Sequence, residues 1–163
     1  MLVSYSPTKT GILAASEAAS YVQISYGIHA AADQGQGKIR PREGEIIDLQ
    51  FESFSDQAQW LEVVYKFGGG SWLKCNRFFF RIQAATDHEI AMSLALRVHR
   101  DDGFDDIFAV DKLHLSADPN WVGAEVTIPA WALQRCVSLD AHLFLPPQDG
   151  GIRIYDFSAM GAR

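Results

Sequence analysis

The sequence predicts an all-β protein, a two-sheet antiparallel β-sandwich of jelly-roll type with a short helix or two. Three observations point there. Apolar and polar residues alternate with period two over most of residues 45–158. Turn signals interrupt the alternation about every 8–12 residues, the rhythm of sandwiches and barrels. Aromatic residues make up 12% of the chain, and pleated, half-buried surfaces favour them.

Taken in order, residues 1–44 are the least regular. Leu13 to Ala19 has helical propensity, and Tyr21 to Tyr26 reads as a strand. Gly35-Gln36-Gly37 reads as a turn, and Pro41 argues against regular structure around it. From there the alternation is plain. Ile47, Leu49 and Phe51 share one side of a strand; so do Leu61, Val63, Tyr65 and Phe67. Gly68-Gly69-Gly70 ends that second run in a loop. Phe78, Phe80 and Ile82 form the next inward row, and Ile90, Met92, Leu94, Leu96 and Val98 the one after. Asp101-Asp102-Gly103 is a turn, and residues 106–116 read as one further strand. Val126 and Ile128 lie on a short strand closed by Pro129, and residues 130–134 read as a short helix. Leu139, Ala141, Leu143 and Leu145 alternate with polar residues, and the chain closes on the run Ile152 to Phe157. That makes about eight or nine strands. With no repeat or linker, residues 1–163 are expected to form one domain.

Composition narrows the function. The formal net charge is −6, a poor match to nucleic-acid backbones or anionic membranes, so neither is expected as a partner. No basic start followed by an apolar run is present at the N-terminus, and no stretch approaches a membrane span. The expectation is a soluble, cytoplasmic chain as given, or a module of a larger exported protein. Cys75 and Cys136 belong to no metal-ligand spacing and read as reduced thiols.

No catalytic motif stands out, and an enzyme is the less favoured reading. GxSxG, P-loop, GxGxxG and HExxH patterns are all missing. Asp101, Asp102, Asp105 and Asp106 lack the spacing of a calcium loop and read as a solvated turn.

The outward sides of the strands hold the candidate site. By parity they collect Glu62, Lys66, Arg81, Gln83, Arg97, His99, Asp140 and His142, with Trp60, Phe79 and Phe144 among them and Tyr155 and Arg153 nearby. An aromatic ring stacks on the C–H face of a sugar, and forked polar groups take its hydroxyls. The expected ligand-binding residues are therefore Trp60, Trp72, Phe79, Arg81, Gln83, Arg97, His99, Asp140, His142 and Tyr155. Trp72 enters because it follows the glycine loop, where it is either an exposed platform or a plug on the sandwich end. Trp121 and Trp131 read as core or edge plugs. The competing reading buries Trp60, Phe79 and Phe144 under loops or a second layer.

The last forty residues resemble a known group. Trp121 to Pro129, the leucine-rich run 137–145 and Gly151-Ile152-Arg153-Ile154-Tyr155-Asp156-Phe157-Ser158 are similar to the closing pattern of carbohydrate-binding-module jelly rolls of the galactose-binding-like type. The resemblance implies a jelly-roll fold and a carbohydrate partner. It also implies a structural calcium at Asp156, with Glu43 or Glu45 as the acidic counterpart, and no other cofactor. The expected function is a non-catalytic carbohydrate-binding domain that recognises a polysaccharide or oligosaccharide on a sheet face. The alternatives are a structural or protein-interaction sandwich, self-association included, and a small sugar-active enzyme.

Overall fold

The computed structural model describes residues 2–5 and 17–163. Among these the strands are β1 (Val3–Tyr5), β2 (Tyr21–Ser25), β3 (Ile28–Ala32), β4 (Lys38–Arg42), β5 (Ile47–Glu52), β6 (Leu61–Gly68), β7 (Arg77–Thr86), β8 (Ile90–Arg100), β9 (Gly103–Phe108), β10 (Leu113–Leu115), β11 (Asn120–Thr127), β12 (Ser138–Leu145) and β13 (Gly150–Ala162). A 3-10 turn covers Gly70–Lys74, and a one-turn helix, α1, covers Ala130–Leu133.

The strands form two antiparallel sheets. One has the order β11-β7-β13-β5-β4, with β1 added along β13. The other runs β10-β8-β12-β6-β3-β2, with β9 paired to β8 beside β10. From β6 to β8 the chain changes sheet at every step, and it does so again from β11 to β13. One side of each strand meets the opposite sheet; in β6 and β12 several outward residues are buried as well.

The core lies between the sheets. Tyr65 of β6 stacks on Phe157 of β13, ring centroids 3.8 Å apart and nearly parallel. Phe67, Trp72, Phe78 and Phe80 extend that stack toward one end. Leu61, Val63, Leu94, Leu96 and Leu143 from one sheet meet Leu49, Ile82 and Ile152 from the other, all fully buried. Cys75 is buried in this core, Cys136 lies partly buried against it, and both are free thiols.

Several local readings change. Pro41 lies inside β4, paired opposite Leu49. The Ile39 N–H points away from β5, to the Ala19 carbonyl. Two residues on, Pro41 presents its ring nitrogen to the same open side, so no ladder bond is lost. Residues 106–116 are not one strand. β9 begins at Gly103, and the chain breaks pairing before β10, so that β8 holds β9 and β10 in succession along one edge. The helical reading at residues 13–16 lies outside the described residues, and Ala19 makes an isolated bridge to Ile39 instead. Trp121 and Trp131 are not plugs, since both are exposed. Trp121 stands on the outer side of β11, and α1 buries Ala132 rather than Trp131. Among the described residues no helix is long and apolar enough to cross a membrane.

Candidate functional site

The outward face of the seven-stranded sheet is built in rows that run across the strands. One row is Gln23, His29, Val64, His142, Ala95 and Phe108. The row on one side holds Tyr21, Ala31, Glu62, Phe144 and Ser93. The row on the other side holds Lys66, Asp140, Arg97 and Asp106. His99 and Phe104 follow, directly opposite each other on β8 and β9.

The middle of this face is sunk and its margins stand proud. Val64 and Ala95 are fully buried, and His142, Asp140 and Glu62 are only 3%, 8% and 9% exposed. At the margins Tyr21 is 53% exposed, and Phe104 and Phe108 are each 54% exposed. Trp60, immediately before β6, is 38% exposed at the end of the face. The nearly buried polar middle and the exposed rings on the edge strands β2 and β9 give this face the form of a shallow trough with an aromatic rim.

The trough floor is polar, and its groups hold one another. His142 Nδ1 lies 2.8 Å from Glu62 Oε2, and His99 Nε2 lies 2.8 Å from Asp140 Oδ2. Arg97 donates from Nε and Nη2 to both oxygens of Asp106, at 2.7 and 2.8 Å. The same guanidinium lies 4.1 Å over the Phe104 ring, which fixes it on two sides. The Asp106 carboxylate pushes the Arg97 pKa above its ordinary value, so its charge is permanent. Since a carboxylate only accepts, His142 carries its proton on Nδ1 when neutral, which leaves Nε2 as an acceptor. That Nε2 and the Nδ1 of His29 are buried without a hydrogen-bond partner among the described residues. The His29 pKa is pulled below the ordinary imidazole value, first by burial and then by the Lys66 ammonium.

The expected site residues separate. Arg97, His99, Asp140 and His142 come together on this trough, with Glu62, Lys66 and Phe144 of the same reading, and Trp60 at its end. Phe79, Arg81 and Gln83 of β7 and Tyr155 of β13 stand on the outer side of the six-stranded sheet, across the whole core. They cannot share a ligand with the trough. There Arg81 lies 3.8 Å over the Trp121 ring and Arg77 lies 5.3 Å over Phe79. Trp72 is 7% exposed and sits between Phe67 and Phe78, so it is the plug and not the platform.

Sequence reasoning missed Tyr21, His29, Phe104 and Phe108. The first two belong to a hairpin whose two-residue connection is Tyr26-Gly27, with Gly27 at φ +77°. A glycine in such a connection between two apolar runs is a hairpin signal. Phe104 was lost because the acidic residues around it read as a turn, and Phe108 because the strand read over 106–116 was assigned no face. Asp102 and Asp105 are in fact ion-paired with Arg100.

The calcium expected at Asp156 finds no cluster of acidic side chains among the described residues. Asp156 is exposed at a bulge of β13, opposite Gln83, and Glu43 and Glu45 are exposed in the turn before β5. Calcium takes six to eight oxygens, whereas no group of three or more metal-ligating side chains exists among the described residues.

No family model matches the sequence, and no curated protein matches it. Solved structures do share the fold. A CBM4 structure superposes with a TM-score of 0.61 at 12% identity, covering 82% of this chain and 87% of its own. The family 11 carbohydrate-binding module of Clostridium thermocellum, in complex with a β-1,3-1,4-mixed-linked tetrasaccharide, gives 0.58 at 10% identity, covering 91% and 98%. The C-terminal family 22 carbohydrate binding module of Clostridium thermocellum Xyn10B gives 0.55 at 13% identity, covering 97% and 93%. The chain therefore has the jelly-roll sandwich fold of carbohydrate-binding modules.

Proposed function

We propose that this chain is a non-catalytic carbohydrate-binding domain and that a polysaccharide or oligosaccharide lies in the trough of the seven-stranded sheet. One observation carries the reading: a polar floor of Glu62, Asp140, His142 and His99 is bordered on the same face by exposed rings of Tyr21, Phe104, Phe108 and Trp60. The rings offer flat apolar faces to the C–H side of sugar rings, and the floor offers fixed hydrogen-bonding groups to their hydroxyls. The floor is already tied by internal bonds, so little order is lost on binding. The mixed-linkage tetrasaccharide held by the family 11 module supports a glycan as the ligand class.

Isothermal titration against a panel of soluble polysaccharides tests this. At least one should bind, and Phe104→Ala with Phe108→Ala should weaken it by about tenfold or more, since exposed aromatic anchors concentrate binding energy. Both rings are exposed, so the melting temperature should scarcely move. A bound glycan whose affinity ignores both substitutions would place the site elsewhere.

A second reading, a protein-interaction sandwich, is favoured by one observation on the opposite face. Trp121 and Met160 are exposed there, with Phe79 and Met160 directly opposed across β7 and β13.

A further inference from the structure

The trough has a charge pattern that bears on which glycans it can take. In the row Lys66, Asp140, Arg97, Asp106, each residue is the direct cross-strand partner of one of opposite sign. Lys66 and Arg97 flank Asp140, and Asp106 engages Arg97 through both carboxylate oxygens. The row sums to zero charge, and Asp106 takes the Arg97 fork that a carboxylate or sulfate would otherwise engage, while Lys66 stands exposed at its end. One row on, Glu62 sits on the floor with a histidine, not a permanent cation, as its partner. Around it on the same face stand His29, His142, Ala31 and Phe144. Glu62 is thus the one carboxylate of these rows with no permanent cation directly opposite it on a neighbouring strand.

The two floor carboxylates each keep one oxygen out of their internal bonds. Glu62 uses Oε2 on His142, and Asp140 uses Oδ2 on His99. That leaves Glu62 Oε1 and Asp140 Oδ1 outside these two bonds, whereas His142 Nε2 is buried away from solvent. These two carboxylate oxygens accept from sugar hydroxyls, which donate where ligand carboxylates and sulfates cannot.

We propose that Glu62 and Asp140 set the charge class of the ligand: the trough takes uncharged, hydroxyl-rich glycans and excludes glycans bearing carboxylates or sulfates. This rests on the trough being the glycan site. An incoming carboxylate would meet the Glu62 charge on a partly desolvated floor, where like charges repel more strongly than in water. It would also leave the free carboxylate oxygens without a donor.

The test uses polysaccharide pairs that share a backbone and differ in charge: hydroxyethylcellulose with carboxymethylcellulose, and arabinoxylan with glucuronoxylan. Affinities are measured by calorimetry at pH 7 and low salt. The neutral member of at least one pair should bind about tenfold or more tightly than its anionic partner, and added salt should narrow the gap. Glu62→Gln with Asp140→Asn keeps the shape of both side chains and their ability to accept from His142 and His99. That double variant should bind the anionic member more tightly than the wild type does, with a melting curve confirming that it is folded. Equal or tighter binding of the anionic member by the wild type overturns the charge rule and leaves the trough reading standing. So does an unchanged gap in the folded double variant. No binding by any member, neutral or anionic, removes the trough reading and the charge rule with it.

Discussion

His29 shows how much one residue's surroundings decide. It sits on the trough beside Val64, with Tyr21 tilted over it at 5.2 Å between ring centroids. Burial and Lys66 hold its folded pKa below the ordinary value of about 6.5. The unfolded chain therefore takes up this proton at a higher pH than the folded one. The stability linked to His29 is whole above the ordinary value and declines as pH falls through it toward the folded pKa. Replacing His29 by Gln removes that decline. Urea midpoints of wild type and variant, compared at pH 7.5 and 5.5, should show a smaller acid-side loss in the variant. An equal loss in both would assign the acid sensitivity to other groups. Tyr65 is the counterpart in the core. Its hydroxyl is buried without a partner among the described residues, and burial pushes its pKa far up, so it stays neutral.

Among the elements, the 3-10 turn and the end of β13 depend on each other. Trp72 closes the sandwich end only because Gly161 has no side chain: a Cβ there would lie 2.9 Å from Cys75 Sγ and 3.2 Å from the Trp72 ring. Trp72→Ala should cost about 3–5 kcal/mol, as for other large-to-small core changes. Gly161→Ala should cost about 1–3 kcal/mol by overpacking the same place. Trp131→Ala, on the exposed side of α1, should stay within about 0.5 kcal/mol. Chemical unfolding of the three variants checks the order, and a Trp131 loss as large as that at Trp72 would contradict it. In the sequence Trp72 and Trp131 were hard to separate, because each follows a breaker and neither has a clean periodicity around it. Strands with unbroken alternation were legible: β6, β8 and β12 carry their inward rows where the pattern placed them. β3 and β4 were not, because three alanines and a proline mask the alternation.

Over the whole molecule, the trough and the Trp121 face are separated by the thickness of the sandwich. Trp121→Ala and Arg81→Ala should therefore leave the affinity for any glycan bound by the trough within about twofold, since distant sites without shared partners act independently. Calorimetry on the same ligand as for the Phe104 and Phe108 variants reads this, and a tenfold loss would mean that the ligand wraps the sandwich or binds the other face. Period two by itself determined the sandwich, the inward row of most strands and the polar character of the outward rows, because alternation is a local property of a strand with one wet side. It could not say which outward residues are neighbours. Phe79 and Phe144, or Arg81 and Arg97, look alike in the sequence, yet β7 belongs to one sheet and β8 and β12 to the other. Only the order of strands, set by packing between segments far apart in the chain, put His29, Glu62, His142 and Phe108 on one surface and sent Arg81 and Tyr155 to the opposite one.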